Sequence, residues 1–295
     1  MNILNINLNK YFIAFLVVIV FFTLFVFYII TKIDSNENLI NNLENNLNTT
    51  KYLFEEQKRY ALSLSILLSK DEQIIESFLQ QNREKSFQLI NQKIETLKNA
   101  QEISFEVQIH NRNLTTYLRS WDISKKDIAL SSFRQGLVEV KNKLQPFVSI
   151  ELGKRLNIKA ISPLIVNDVF IGSIEVIIGF DNLAKQLDKR GYRLFVLLDK
   201  KYLEIASELK NNPSIYNYTL VNQNNINLLK DLDLTQLKDY GYISNKEYSF
   251  SYFSYYDLNE SRLGYIFIAL ENTNHIKINK GYELKKNKTK EITII

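Results

Sequence analysis

The sequence predicts an α+β protein: an N-terminal transmembrane helix, a long stalk helix and two tandem antiparallel-sheet modules. Three observations predict it. Residues 11–30, YFIAFLVVIVFFTLFVFYII, carry no charge. From Ile33 onward, apolar residues recur at helical spacing. Beyond Ala100 the apolar period drops to two, the alternation of half-buried strands.

The apolar run holds about 20 residues, enough to cross ~30 Å of hydrocarbon. It is too long for a signal peptide, and Thr31-Lys32-Ile33-Asp34 offers no small-residue cleavage site, so an uncleaved anchor is expected. Lys10 and the amino group precede the run; Lys32 is soon followed by Asp34 and Glu37. That bias places residues 1–10 in the cytoplasm and the chain beyond Lys32 outside, in the periplasm of a cell with an inner membrane. No second apolar run of spanning length occurs, so a single crossing is expected.

The stalk comes next, over 33–79. Ile33, Ile40, Leu43, Leu47, Phe54, Ala61, Leu64, Leu68, Ile75 and Phe78 form one helical stripe, with Thr50, Gln57 and Asp71 in its gaps. Near the membrane such a stripe suits a coiled-coil homodimer, and further out a helix packed on a domain. A second helix carries Phe87, Ile90, Ile94 and Leu97.

In the first module, 80–180, Ile103, Phe105, Val107 and Ile109 alternate with polar residues as a strand. TTYLRSWD is the next strand, with Tyr117, Arg119 and Trp121 expected on one face. SSFRQGLVEVKNKL reads as a short helix capped by Ser131 or Ser132. PFVSIEL, IKAISPLIV and VFIGSIEVIIGF are three further strands, the last two joined by a turn at Asn167-Asp168. The second module, 181–272, opens with a helix at 182–189. It continues with a strand and turn in YRLFVLLDKKYLEIA, a polar helix within 222–239 and three strands in 241–271.

Composition narrows the function. Hydrophobic residues make up 45% and charged ones 23%, which supports a packed core and excludes wholesale disorder. The absence of cysteine excludes disulfides, iron–sulfur clusters and thiolate zinc sites. His110 and His275 lie too far apart in sequence to suggest a metal site. Much of the +5 net charge sits in the tail, 273–295, where six lysines face two glutamates. The tail reads as a solvated end or a segment lying on anionic headgroups. The folded body has no basic footprint, so no nucleic-acid partner is expected. No nucleophile elbow, phosphate loop or HExxH is present, so neither an enzyme nor a cofactor is expected.

Several runs, in order and spacing, resemble the double Cache (PAS-like) extracytoplasmic sensor domains of bacterial chemoreceptors and sensor kinases. They are Gln108-Ile109-His110, Tyr117-Leu118-Arg119, Phe133-Arg134, Ser149-Ile150-Glu151-Leu152-Gly153, Ile161-Ser162-Pro163 and Gly172-Ser173-Ile174-Glu175. The resemblance covers roughly residues 35–272. It implies a membrane-distal module, 80–180, that binds a small molecule, and a membrane-proximal one, 181–272. Such receptors usually return through a second transmembrane helix to an output domain. No such helix is read after residue 272, so either a separate membrane transducer or a truncated receptor that only binds is expected.

Tyr117, Arg119, Trp121 and Asp122 are similar in type to residues of amino-acid-binding Cache pockets, at different spacing. Arg119 is central, because a buried guanidinium needs an anion. Glu151 and Glu175 on neighbouring strands can pair with it as a structural bridge. Alternatively Arg119 grips a ligand carboxylate or phosphate between Tyr117 and Trp121, or stacks toward solvent. Arg134 on the following helix reaches the same place or lies on the surface. Lys159 and Glu151 bind the two ends of a zwitterion, or each other. The expected ligand is anionic or zwitterionic. A ligand-free structural protein that docks a neighbouring membrane protein is the alternative.

Overall fold

The computed structural model describes residues 3–101 and 103–272. The basic tail lies outside them. Helix α1 (Ile3–Ser69) runs unbroken through the apolar stretch and most of the stalk. Its side chains from Tyr11 to Ile30 are exposed, and it is long and apolar enough there to cross a membrane. From Leu43 the stripe turns inward: Leu43, Leu47, Phe54, Ala61, Leu64 and Leu68 are buried.

The expected continuous stalk over 33–79 is interrupted at Lys70-Asp71. Asp71 is not a stripe residue but an N-cap: its backbone is extended and its carboxylate accepts the Ile74 N–H at 3.1 Å. This begins α2 (Glu72–Leu79) and resets the helical phase. Ile74 is therefore fully buried and Ile75 only half-buried, where an unbroken series requires the reverse. Helix α3 (Arg83–Gln101) folds back on α2, and its Lys93 pairs with Asp71 at 2.6 Å.

The first sheet comprises β1 (Glu106–Asn111), β2 (Thr116–Arg119), β3 (Phe147–Leu152), β4 (Leu156–Val166) and β5 (Val169–Ile178). Their antiparallel order is β2-β1-β5-β4-β3. Asn167 and Asp168 turn the β4–β5 hairpin at φ of 48° and 60°, the left-handed pair that a two-residue hairpin loop needs. One sheet face presents Val107, Ile109, Leu118, Ile158, Ile174 and Val176 to the core shared with α1, α2 and α3. The other face is polar in part, and α4 (Gln135–Lys143) covers its apolar part, packing Leu137 and Val140 with Ile161 and Phe170. This helix does not start at Ser131 or Ser132, which are exposed. Arg134 occupies its N-cap position without a capping bond, because its side chain is drawn inward.

After α5 (Asp181–Asp188) comes the second sheet. It contains β6 (Arg193–Asp199), β7 (Ser214–Ile215), β8 (Tyr218–Leu220), β9 (Tyr240–Ser244), β10 (Tyr248–Tyr256) and β11 (Arg262–Glu271). The order is β7-β8-β6-β11-β10-β9. Without the short edge strand β7, this repeats the first sheet with β6 in the place of β1. The polar helix expected within 222–239 is only a 3-10 turn at Ile226–Leu229. Asn222 pins the entry to the segment, accepting from Val196 N–H at 2.7 Å and donating to Leu194 C=O at 2.9 Å, and the turn ends where Lys230 becomes extended and Asp231 takes a φ of 66°. Leu229, Leu232 and Leu234 pack from loops onto Phe195, Phe250 and Phe267 instead.

Helix α1 touches both sheets. Ser251 donates to the Asn46 side-chain oxygen at 2.5 Å, and the Ser65 and Ser162 hydroxyls meet at 2.8 Å. The second module thus sits nearer the apolar stretch and the first further along the helix.

The cap at Asp71 yields a prediction. Asp71→Ala lowers stability by about 1 kcal/mol, the ordinary cost of a lost N-cap. Asp71→Asn, which keeps a cap acceptor and loses only the half-exposed pair with Lys93, costs less. Urea melts of both variants check this; equal losses would show that the cap is not what restarts the helix.

Candidate functional site

The polar face of the first sheet gathers titratable residues by register. Arg119, Gln108, Glu175 and Ile161 are cross-strand neighbours on β2, β1, β5 and β4. Ser149 of β3 lies opposite Lys159 of β4. Since alternate residues share a face, His110, Glu151 and Ser173 belong to the same surface.

At the bottom lies a buried ion cluster. Arg134 Nε donates to Glu151 Oε2 at 3.1 Å, and the guanidinium also bonds both oxygens of Glu175. Ser149 donates to Glu151 at 2.8 Å. His110 Nε2 stands 3.5 Å from Glu175, and its Nδ1 lies 3.1 Å from the Ser173 hydroxyl. Burial alone would raise the Glu175 pKa, but Arg134, His110 and Lys159 together outweigh it and hold the carboxyl well below its usual range. Burial likewise disfavours the Arg134 cation, yet Glu175 and Glu151 push its pKa up. His110 is pushed down, first by burial and against the pull of Glu175, so it stays neutral. The helix approaches this cluster closely only because residue 136 is glycine; a Cβ there would collide with the Glu151 carboxylate.

Above the cluster is a cavity of about 330 Å³ lined by Arg119, Trp121, Asp122, Arg134 and Lys159. Arg119 forms no ion pair among the described residues, and its buried Nε has no hydrogen-bond partner. Its guanidinium lies over the Trp121 ring, 5.6 Å from the centroid. Burial lowers its pKa, countered by the nearest carboxylates, those of Glu175 and Asp122. Lys159 is buried and donates to Leu152 C=O at 3.2 Å. Burial and then Arg134 bring its pKa down to about 7, against the pull of Glu175 and Glu151. Counting full charges on buried or half-buried residues alike, four cations (Arg119, Arg134, Arg155, Lys159) face three carboxylates (Asp122, Glu151, Glu175). The excess is one positive charge.

The candidate residues thus separate. Arg119, Trp121, Asp122, Arg134 and Lys159 meet at one cavity. Glu151 and Glu175 lie beneath it as partners of Arg134, not of Arg119. Arg134 is a buried structural cation rather than a surface residue. Tyr117 does not share the face of Arg119: a bulge leaves it between the pairs Ile109–Leu118 and His110–Thr116. That extra residue turns the ring to the helical side, edge-on to Phe78 at 4.7 Å. Trp121 lies past the end of β2, and Asp122 uses one oxygen on the Ser124 N–H and hydroxyl at 3.0 and 2.6 Å.

Sequence reasoning missed Gln108, Lys125, Phe133, Arg155, Asn157 and Glu208, which also line the cavity. Gln108 was detectable, being the polar partner in the β1 alternation. Glu208 comes from the second module and gave no signal. A separate cavity of about 370 Å³ lies between the modules, bordered by Glu106, Arg155, Asp181 and Asn222.

Comparison with known proteins agrees with this architecture. The family model described as the double sensory domain of two-component sensor kinase matches residues 36–275. No curated protein sequence matches the chain. Among solved structures, the sensor domain of the Vibrio cholerae histidine kinase DctB is 12% identical, with a TM-score of 0.48 over 81% of this chain and 99% of that one. The ligand-binding domain of the Campylobacter jejuni chemoreceptor Tlp3, in complex with L-valine, is 16% identical, with a TM-score of 0.48 over 82% and 95%. The Escherichia coli DcuS sensor domain, 14% identical, aligns with 45% of this chain and 96% of its own, at a TM-score of 0.35. With that model spanning α1 through β11, the chain belongs to the family of double sensory domains of two-component sensor kinases.

Proposed function

We propose that this sensory chain is anchored in the inner membrane by residues 11–30 and binds a small anionic or zwitterionic molecule in the first-module cavity. Residues beyond the anchor then lie outside the cytoplasm. A ligand carboxylate or phosphate sits on Arg119, with the Trp121 ring beside it and Lys159 as the second cation. The carrying observation is the Arg119 Nε, buried in the cavity wall with no partner. A buried donor left unmade costs roughly 1–3 kcal/mol, more when charged. A ligand anion removes that cost, which a structural arginine would already have met with a carboxylate. The second copy of a homodimer packs along the stalk, where Tyr52, Ile66 and Leu67 are exposed.

A thermal-shift screen of the full chain in detergent, against amino acids, carboxylates and phosphates, tests the reading. A ligand at 100 times its Kd adds about 2.7 kcal/mol. Arg119→Ala abolishes the shift while leaving the unliganded melting temperature unchanged or higher. Arg134→Ala instead strips two buried carboxylates of their cation and destabilises the unliganded protein by about 3–5 kcal/mol. If Arg119→Ala melts early and no compound binds, Arg119 is structural and a ligand-free docking protein becomes the better reading.

Affinity also depends on pH. Lys159 is surrounded by Arg134, Glu175, Glu151 and Arg155, and its pKa of about 7 means it loses its charge as pH rises through neutrality. An anionic ligand prefers the charged form, so its Kd weakens between pH 6 and 8. Lys159→Met flattens that profile; a profile unchanged by the substitution assigns the dependence elsewhere.

A further inference from the structure

The first-module cavity is not closed by the first module alone. Between β3 and β4 the chain turns through Gly153, Lys154 and Arg155, with Gly153 N–H bonded to Arg155 C=O at 3.0 Å. The tip of that turn rests on the second module. Glu208, in the 3-10 turn Ser207–Leu209, donates its N–H to Lys154 C=O at 3.0 Å. Its carboxylate lies 3.4 Å from Arg155 Nε. Arg155 is shared: its Nη2 also contacts Glu106, at the start of β1, at 2.6 Å. Lys154, Arg155 and Glu208 all border the same cavity as Arg119. Arg155 additionally borders the cavity between the modules.

Glu208 is thus a carboxylate of the second module placed at a cation-rich cavity of the first. It occupies the role of a weak internal anion. The Arg155–Glu208 pair is about half exposed on both sides, at 40% and 51%, and such pairs are readily exchanged. The Arg134 cluster, buried throughout, is not.

We propose that Glu208 reports occupancy of the first-module cavity to the second module: an anion bound against Arg119 and Arg155 competes with Glu208 for Arg155 and loosens the clasp between the modules. This rests on the reading of that cavity as an anion site. Glu208 acts through Arg155 and is a positioning residue rather than a primary ligand contact. No covalent step is involved, and Arg155 retains Glu106 when Glu208 leaves.

The test uses the full chain in detergent micelles, with acetate, succinate and inorganic phosphate as probes in calorimetric titrations. Glu208→Gln removes the competing charge and tightens the Kd of a binding probe about 3- to 5-fold, the scale of one exposed ion pair. Glu208→Asp keeps the charge and stays near wild type. A probe that binds wild type and Glu208→Gln equally overturns the competition and leaves the anion site standing. If no probe binds either form, the competition is overturned, while a zwitterionic ligand remains open to the thermal-shift screen.

A second measurement needs no probe. The chain has no native cysteine, so nitroxide labels at Val169→Cys and Asn259→Cys report the inter-module distance alone. Glu208→Gln shifts that distance distribution from the unliganded wild-type one. Superimposable distributions show that the clasp does not hold the modules and overturn the proposal.

Discussion

The rest of the first module depends on one guanidinium holding two buried carboxylates. Arg134 reaches Glu151 on β3 and Glu175 on β5, spanning β4 between them. Replacing such a cluster with apolar residues is often neutral, while removing one member is costly, so its contribution is placement more than stability. It fixes where α4 begins, at a residue with no capping bond of its own. Glycine at 136 is a consequence, because the helix must approach the carboxylates without a Cβ. The cluster also takes both glutamates that Arg119 might have used. Arg119 is left with an aromatic ring on one side and an open cavity on the other.

Helix α1 meets the two modules through unlike surfaces. Against the first sheet it buries Ala61, Leu64 and Leu68, an apolar seam. Near the second sheet its buried residues include Asn46 and Thr50 beside Leu43 and Leu47. Two polar atoms there have no hydrogen-bond partner: the Asn46 amide nitrogen and, on β9, the Tyr242 hydroxyl. Unmade buried hydrogen bonds cost roughly 1–3 kcal/mol each, so this stretch adheres less firmly than its area implies. The helix thus meets the module that holds the cavity along an apolar seam and the one nearer the apolar stretch along a mixed polar and apolar one.

Legibility in the sequence tracks how local each signal is. The apolar span, the two periods, the Asn167-Asp168 hairpin and all five strands of the first sheet rest on neighbours within a few residues. The break at Asp71 was written in the sequence too, as an aspartate before Glu72, but a continuous stripe across it masked the cap. Tyr117 was misplaced because alternation assumes no bulge, and β2 is too short for its pattern to reveal one. Asn222–Asp239 carried leucines at helical spacing, yet the Asn222 side chain bonds the backbone of a distant strand and the turn ends at Lys230. Arg119 was recognisable as the residue to explain. That its partners belong to Arg134 instead depended on distances of 17 and 41 residues along the chain, which no window contains.

Signalling requires that some contacts yield and others do not, and the cations around the cavity divide accordingly. Arg134 is held by two carboxylates without solvent, so a ligand anion arriving nearby cannot outcompete them. Arg155 is held by two carboxylates at the surface, where water and salt already weaken the attraction. Arg119 is held by none among the described residues. On the proposed reading an incoming anion meets one free arginine, one exchangeable arginine and one fixed arginine, in that order of energetic ease, with Lys159, held by the Leu152 carbonyl, as a further cation. The free one supplies affinity and the fixed one keeps the pocket's shape. Of these three arginines only the exchangeable one is bonded to the other module, so under the proposal it is there that occupancy becomes movement.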